Sequence, residues 1–286
     1  MQRPSFFHYH IAYKTASMKQ FQIVPAPSYG WIADPFLVEY EGTVYLFAEI
    51  FLYKTERNGK IGYCKYENGK FGDWTITMDR HWHLSYPNVF VENGKLYMCP
   101  ESYQSGEVSV YELVSFPDQW RKVKTYINDV EYCDSTFCRI DGDMYMFTYE
   151  RCGSGVNGRG LLCRIVDGSI RETKLISDNP AGSRPGGNII QKDGKYIRVA
   201  QNGIPAYGTG LIFFEIDSFW PEYREHEIKR IYVENINPEW KEKYCGVHTF
   251  NQLGNITVID LKERTYRDEE YEAQQRVRQV FLNKYR

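Results

Sequence analysis

Acidic residues recur along the chain in short motifs that differ from one another. Asp34 lies in Ala-Asp-Pro, Glu101 in Pro-Glu-Ser and Asp134 in Cys-Asp-Ser. Carboxyl groups crowded together in a site of low dielectric have pKa values that are pushed apart, and general acid and base catalysis requires such a difference. Further candidates for contacts with a polar ligand are Glu49, Tyr86, Glu150, Arg184, Gln201, Tyr207 and His248.

A structural role for these carboxylates is the alternative, because an acidic residue at a repeated position can cap a turn or accept a hydrogen bond from the neighbouring repeat. Structural caps should recur with the same residues around them. The motifs around Asp34, Glu101 and Asp134 differ from one repeat to the next. This difference favours a functional role.

A repeated hairpin pattern is the reason to expect these residues to meet. Each copy has a short strand, a polar turn that contains glycine, and a second strand. The copies cover residues 33–49, 86–101, 133–150, 184–201 and 246–260, and their turn glycines are Gly42, Gly94, Gly142, Gly194 and Gly254. A period of about 50 residues accommodates the four strands of one propeller blade. The sequence therefore predicts an all-β, five-bladed β-propeller with four-stranded antiparallel blades, and residues 1–286 as one domain; a two-sheet sandwich stays open but does not explain the period.

The register of each hairpin predicts where the candidate residues lie. Eight residues before the turn glycine the first strand begins, and seven residues after it the second strand ends. These positions are adjacent in an antiparallel pair, at the end away from the turn. If the blades are radial, one mouth of the central channel collects Asp34, Glu49, Glu101, Asp134, Glu150, Arg184, Gln201 and His248.

The two ends of the chain depart from the repeat. Residues 1–27 are expected to close the ring by adding a strand to the last blade. Residues 268–285 carry apolar side chains at helical spacing, which predicts a short C-terminal helix packed on the propeller. The apolar positions are Ala273, Val277, Val280 and Phe281.

Composition excludes several classes of function. The formal net charge is −2 and no basic run is present, so the chain offers no electrostatic footprint for nucleic acid or an anionic membrane surface. No apolar stretch approaches the ~18 residues of a membrane span. Seven cysteines without CxxC spacing indicate buried free thiols in a reducing compartment, and the N-terminus lacks the apolar core of a signal peptide. We therefore expect a cytoplasmic protein.

Other catalytic and metal-binding patterns are weak or missing. The sequence contains no G-x-S-x-G, Walker, H-E-x-x-H or Rossmann motif. His81 and His83 would share one face of a strand, but no third metal ligand is evident beside them.

Two motifs resemble those of the five-bladed furanosidase superfamily, which includes the family 43 glycoside hydrolases and the family 32 and 68 fructan enzymes. They are Trp-Ile-Ala-Asp-Pro-Phe (31–36) and Cys-Asp-Ser-Thr-Phe (133–137). The resemblance to family 43 implies that Asp34 is a general base and that Asp134 tunes and orients the general acid. Gly-Val-His (246–248) resembles the fifth-blade motif of that family, which implies that His248 lies in the channel, beside a Ca²⁺ ion if one is present; no other cofactor is implied.

The fourth repeat departs from family 43. Where that family supplies its general acid from Glu-Gly-Pro, this chain reads Ser-Arg-Pro-Gly-Gly (183–187). Arg184 cannot replace the acid, because a guanidinium does not release its proton near neutral pH. Either the acid lies on another blade, with Glu101 and Glu49 as candidates, or the chain is not a simple hydrolase.

A second resemblance covers most of the chain. Its segments are His-Leu-Ser-Tyr-Pro-Asn-Val-Phe (83–90), Tyr-Met-Cys-Pro-Glu-Ser (97–102), residues 183–187, Gln201, Tyr207-Gly208 and residues 246–251. They are similar to the propeller domain at the N-terminus of plant glucosamine inositolphosphorylceramide transferase, whose bacterial relatives occur with enzymes that build surface polysaccharides. The resemblance implies a role in glycan metabolism.

Two functional hypotheses follow. In the first, the chain is a carbohydrate-active enzyme, of glycosidase or sugar-transfer type, with Asp34 as base or nucleophile, Glu101 as acid and Asp134 orienting the pair. Arg184 would bind a hydroxyl, carboxylate or phosphate group, and Tyr86 and Tyr207 would stack on a sugar ring. In the second, the chain is a non-catalytic glycan-binding or scaffold propeller that serves a separate glycosyltransferase.

Overall fold

The protein is described by a computed structural model that covers residues 6–53, 59–153 and 156–265, together with residues 272, 275, 276 and 279. The described chain forms five antiparallel sheets. Two N-terminal strands, β1 (Phe6–Thr15) and β2 (Gln22–Ile23), precede the first blade. The first blade contains β3 (Gly30–Tyr40), β4 (Thr43–Leu52), β5 (Gly59–Glu67), β6 (Lys70–Phe71) and β7 (Thr75–Met78).

The next two blades each have four strands. The second contains β8 (Ser85–Glu92), β9 (Lys95–Glu101), β10 (Glu107–Ser115) and β11 (Gln119–Asn128), with a 3₁₀ turn at Tyr103–Ser105. The third contains β12 (Tyr132–Ile140), β13 (Asp143–Arg151), β14 (Gly158–Val166) and β15 (Ser169–Ser177).

In the last two blades the first strand is split into two pieces. The fourth contains β16 (Ala181–Pro185), β17 (Ile190–Lys192), β18 (Lys195–Asn202), β19 (Gly210–Ser218) and β20 (Arg224–Ile231). A helix α1 (Val233–Ile236) and a 3₁₀ turn (Pro238–Glu242) lead to the fifth, which contains β21 (Tyr244–Gly246), β22 (Phe250–Leu253) and β23 (Ile256–Thr265).

The turns explain why glycine recurs in the repeat. In the first four hairpins both central residues have positive φ, as a type I′ turn requires. These pairs are Glu41-Gly42, Asn93-Gly94, Asp141-Gly142 and Asp193-Gly194. Glycine adopts this conformation without steric cost, so it marks each hairpin in the sequence.

The first strand of each of the first three blades carries a β-bulge at the same position. The ladder to the second strand is interrupted after Ala33, after Ser85 and after Cys133. The next residue has a positive φ in every case: Asp34 at 52°, Tyr86 at 41° and Asp134 at 53°. A bulge redirects side chains, and strained left-handed residues that are not glycine concentrate at functional sites.

The ring is closed by the N-terminal strand, as expected. Strand β1 pairs with β23 without interruption, from Phe6 opposite Thr265 to Thr15 opposite Ile256. The fifth blade is therefore assembled from both ends of the chain.

Five apolar clusters lie between successive blades, and each packs the faces of two neighbouring sheets together. Phe36 of the first blade contacts Tyr86 of the second, and Ile11 of the fifth packs with Ile32 of the first. The other interfaces follow the same cyclic order. A two-sheet sandwich would have one such layer, so the arrangement confirms the predicted five-bladed propeller.

Two expectations need qualification. The predicted C-terminal helix over 268–285 lies mostly outside the described residues, as do its four apolar positions; residues 272, 275, 276 and 279 are helical. All seven cysteines are free thiols, but only four of them are buried: Cys138 is half-buried, and Cys152 and Cys245 are exposed. No helix in the described ranges is long and apolar enough to cross a bilayer.

Candidate functional site

The bulged ends of the inner strands surround a cavity of about 240 Å³. Pockets for drug-sized ligands usually measure ~300–1,000 Å³, so this cavity suits a small polar ligand. Of the ten residues that the sequence analysis named as catalytic or ligand-contacting candidates, six line it: Asp34, Glu49, Glu101, Arg184, Tyr207 and His248. Other lining residues include Trp31, Phe51, His83, Tyr103 and Arg151.

Asp34 is held at the bulge of the first blade by hydrogen bonds from two other blades. Its Oδ1 accepts a hydrogen bond from Thr249 Oγ1 at 2.7 Å, and its Oδ2 accepts one from the backbone N–H of Tyr86 at 3.1 Å. Burial raises the pKa of Asp34 to about 6, although His248 opposes the rise. The carboxyl group therefore titrates just below neutral pH.

Asp260 is a site residue that sequence reasoning missed. Its Oδ1 accepts hydrogen bonds from the backbone N–H groups of His248 and Thr249, and its Oδ2 lies 2.5 Å from His248 Nδ1. Burial would lower the pKa of His248, but the charges of Asp260 and Asp34 outweigh it and raise the pKa. The available signal was a carboxylate inside the apolar run Ile-Thr-Val-Ile-Asp-Leu of the last blade.

Glu101 has the features of a general acid. Its Oε2 accepts a hydrogen bond from Ser85 Oγ at 2.6 Å, and its Oε1 accepts one from the backbone N–H of Tyr103 at 2.8 Å. Burial, reinforced by the nearby charge of Asp134, raises the pKa of Glu101 to about 7. A carboxyl group with this pKa can give up a proton at neutral pH.

Glu49 and His83 form a second titratable pair in the cavity. Burial raises the pKa of Glu49 well above its usual value, and Asp34 and Glu101 add to the rise. His83 Nε2 lies 3.4 Å from Glu49 Oε1, and burial lowers the pKa of His83 to about 4. Sequence reasoning considered His83 only as one of a weak histidine pair.

Three buried polar atoms of cavity-lining residues have no hydrogen-bond partner among the described residues: Trp31 Nε1, Glu49 Oε1 and His83 Nδ1. A buried polar group without a partner costs about 1–3 kcal/mol. A ligand that carries several hydroxyl groups in this cavity would offset that cost.

Asp134 positions Arg184 at the cavity wall. Arg184 Nε and Nη2 donate to the two oxygens of Asp134, at 2.5 and 3.2 Å, and Gln201 Nε2 donates to Asp134 Oδ2 at 2.9 Å. The guanidinium lies over the Tyr207 ring at 5.0 Å. Such a two-point ion pair fixes the orientation of the guanidinium plane.

Two sequence expectations differ from the structure. Tyr86 is fully buried, and its hydroxyl group hydrogen-bonds the backbone of Gly187, so its ring cannot stack on a ligand. Glu150 does not line the cavity and pairs instead with Arg159 on the adjacent strand. Side chains alternate along a strand, so the residue after the buried Tyr149 points to the other face. Asp134 and Gln201 do not line the cavity: Asp134 orients Arg184 and adds to the rise in the pKa of Glu101, and Gln201 hydrogen-bonds Asp134.

The aromatic surface of the cavity is provided by other residues than Tyr86. Trp31 and Phe51 stack with ring centroids 4.4 Å apart, and Tyr9 stacks on His248 at 4.8 Å. Tyr207 meets the edge of the same imidazole at 5.3 Å.

The residues near His248 do not fit a directly coordinated calcium ion. Ligand atoms of Asp34, His248 and Asp260 lie within 4.8 Å of one another. All four oxygens of these carboxylates already accept hydrogen bonds, and His248 Nδ1 is directed at Asp260. Calcium requires six to eight oxygen ligands, which this set does not supply.

Comparisons with known proteins agree with this architecture. The family described as "Glucosamine inositolphosphorylceramide transferase 1, N-terminal" matches residues 15–251. The Arabidopsis thaliana protein glucosamine inositolphosphorylceramide transferase 1 is 33% identical over 210 residues, which cover 69% of this chain and 27% of the plant protein. The protein of the same name from Oryza sativa subsp. indica is 29% identical over 206 residues, covering 68% and 27%. The chain thus spans about a quarter of the length of these curated relatives.

Solved structures share the fold. A GH43 β-xylosidase/α-arabinofuranosidase from a compost microbial metagenome has a TM-score of 0.61 at 12% identity, covering 88% of this chain and 94% of that one. The catalytic domain of the Coprinopsis cinerea GH62 α-L-arabinofuranosidase has a TM-score of 0.62 at 12% identity, covering 90% and 98%. At this identity the likeness shows the fold alone. The family match covers most of the chain, and the chain belongs to the family of the N-terminal domain of glucosamine inositolphosphorylceramide transferase 1.

Proposed function

We propose that the cavity binds a saccharide and that the chain acts at a glycosidic bond, by hydrolysis or by sugar transfer, in glycan metabolism. The observation that carries the proposal is the pair of buried carboxyl groups, Asp34 and Glu101, that line one cavity. The pKa of Asp34 is about 6 and that of Glu101 is about 7. Between these two pH values most Asp34 side chains are ionised while most Glu101 side chains keep their proton.

In this proposal the two carboxyl groups have different roles. Glu101 would protonate the leaving oxygen of the glycosidic bond, and Asp34 would assist an attacking hydroxyl or water as base, or attack directly. Arg184, fixed by Asp134, would bind a hydroxyl group of the sugar or a phosphate of an activated donor.

The rest of the cavity suits a sugar. The stacked rings of Trp31 and Phe51 provide an apolar surface, and the unpartnered atoms of Trp31, Glu49 and His83 provide polar contacts. Ligand sites commonly combine such an apolar lining with a few convergent polar groups.

The name of the curated relatives suggests which sugars to test first. It contains glucosamine, and an amino sugar carries a cation at neutral pH. The ionised carboxylate of Asp34 would favour that cation. A nucleotide-activated glucosamine would in addition place phosphate within reach of arginine. We further propose a cytoplasmic location, which the free thiols support, and a role in polysaccharide biosynthesis.

A second candidate function is a non-catalytic glycan-binding or scaffold propeller that partners a glycosyltransferase. It is favoured by Arg184, which occupies the position where the family 43 motif carries its acid. It is also favoured by the length of the relatives, since about three quarters of each lies outside the match to this chain.

A substrate panel with matched variants separates the two functions. We expect wild-type protein to turn over at least one member of a panel of oligosaccharides and nucleotide sugars, including glucosamine derivatives. Glu101→Gln and Asp34→Asn should lose turnover by ~10²-fold or more. Glu112→Gln is the control, because Glu112 also lies on the second blade but pairs with Lys95 and Arg121 away from the cavity. Affinity for a sugar without turnover across the panel would favour the binding module.

A further inference from the structure

A group of metal-binding side chains lies outside the cavity, on the strand pair that closes the ring. His8 and His10 lie two residues apart on β1, and Glu263 lies opposite His8 on β23. Residues two apart on a strand share a face. The three residues offer ligand atoms that all lie within 4.8 Å of one another.

The local contacts already bring these groups together. The imidazole rings of His8 and His10 stack at 4.3 Å with an angle of 17° between their planes. His10 Nε2 lies 2.5 Å from Glu263 Oε2. The side chains of His10 and Glu263 are 14% and 20% exposed, which leaves an ion a route of entry.

We propose that His8, His10 and Glu263 bind a zinc-class transition-metal ion that fastens the N-terminal strand to the last strand of the propeller. Two imidazoles and one carboxylate form a common zinc ligand set, with water in the fourth position. In a tetrahedral site with bonds of ~2.1 Å the ligand atoms are ~3.4 Å apart. The ligand atoms lie within 4.8 Å of one another, so binding requires the two stacked imidazoles to rotate until their nitrogen atoms converge on one ion. Nitrogen ligands favour zinc, cobalt or nickel over calcium and magnesium.

The site is independent of the proposed sugar chemistry. Tyr9, between the two histidines, points to the opposite face of β1 and lines the cavity. The ion would lie on the other side of the strand, towards the side chains of Tyr244 and Lys243. Lys243 is a nearby cation that would oppose metal binding.

Zinc titration of tag-free, chelator-treated protein tests the proposal. We expect one Zn²⁺ per chain and a thermal midpoint raised on the order of 5 °C at a zinc concentration well above Kd. His10→Gln and Glu263→Gln should each weaken binding by at least tenfold, and Lys243→Gln should strengthen it a few-fold. Glu263→Gln keeps a hydrogen-bonding side chain, so circular dichroism of the zinc-free variant checks that it folds.

His226→Gln is the matched control, because His226 forms an exposed cluster with Glu215 and Asp217 on the fourth blade. It should bind zinc as the wild type does. Cobalt substitution separates histidine ligation from ligation by the exposed thiols of Cys152 and Cys245, which would add a thiolate charge-transfer band. Absence of zinc binding, a thiolate band, or affinity unchanged by both His10→Gln and Glu263→Gln would overturn the proposal.

Discussion

Glu101 and Asp34 differ in the neighbouring charges that set their pKa values. Burial and the charge of Asp134 on the third blade raise the pKa of both groups, but at Asp34 the rise is opposed by His248 of the fifth blade. The two roles in the proposed chemistry therefore follow from neighbours on other blades.

The activity of the wild-type protein should depend on pH as a narrow bell. Ionisation of Asp34 makes kcat/KM rise as pH increases through about 6, and loss of the proton of Glu101 makes it fall above about 7. In Glu101→Gln the falling limb should be missing from the residual activity. Rate measurements between pH 4.5 and 9 decide this; a falling limb retained in the variant would remove Glu101 as the acid.

The stability of the protein should also report on Glu101. Its pKa is about 7 in the folded chain and about 4.5 when exposed, so the folded state holds the proton more tightly. The stability that this group contributes is complete below pH ~4.5 and is lost as pH rises through ~7. In the wild type, Glu101 should make the unfolding free energy fall by about 3 kcal/mol between pH 4.5 and 8, and this fall should be absent from Glu101→Gln. Urea denaturation at both pH values measures it, and an equal loss in wild type and variant would contradict the assignment. In Glu101→Gln the unfolding free energy should still decrease somewhat with pH, because the pKa of Asp34 is also raised in the folded chain.

At the scale of strands and turns, the sequence predicted the hairpins but not their irregularities. Turn glycines marked each hairpin because the type I′ turn restricts residue choice. The bulges at Asp34, Tyr86 and Asp134 could not be recognised in this way, because neither aspartate nor tyrosine is as characteristic of a left-handed backbone as glycine is. The hairpin register predicted that the Asp34 side chain points towards the central channel. It did not predict that Tyr86 is buried between blades, because that burial depends on contacts with residues about one hundred positions away.

A turn glycine tests this account of the hairpins. Gly142 has a φ of 89° and open space where a Cβ would lie, so Gly142→Ala should cost about 1–2 kcal/mol of stability from backbone strain alone. Gly72 has no positive φ and only an ordinary contact at 3.8 Å, so Gly72→Ala should be neutral or slightly stabilising. Chemical denaturation of both variants checks the difference; equal effects would contradict the strain argument.

At the scale of the whole molecule, the ring depends on the pairing of β1 with β23. Composition and period predicted five blades, and the departure of residues 1–27 from the repeat indicated a closing strand. The cavity could be anticipated as a place where hairpin ends meet. The hairpin register does not predict that Asp260 and His83 approach the cavity, because their approach depends on how the blades pack.

Ile11 tests the importance of this closure. Its side chain is fully buried between the fifth and first blades, so Ile11→Ala should destabilise the protein by about 2–5 kcal/mol. The control is Val114→Ala, because Val114 is 57% exposed and its truncation should change stability by less than ~0.5 kcal/mol. Similar thermal midpoints for both variants would mean that β1 contributes little to the ring.

The central claim is that one cavity holds a saccharide between Asp34 and Glu101. A crystal structure of the Glu101→Gln protein with a bound sugar or nucleotide sugar from the panel tests it most directly. We expect the glycosidic oxygen ~2.6–3.2 Å from the side chain at position 101, with a sugar ring against Trp31 or Tyr207. A sugar bound only elsewhere on the propeller, or no sugar in the cavity at saturating concentration, would contradict the claim.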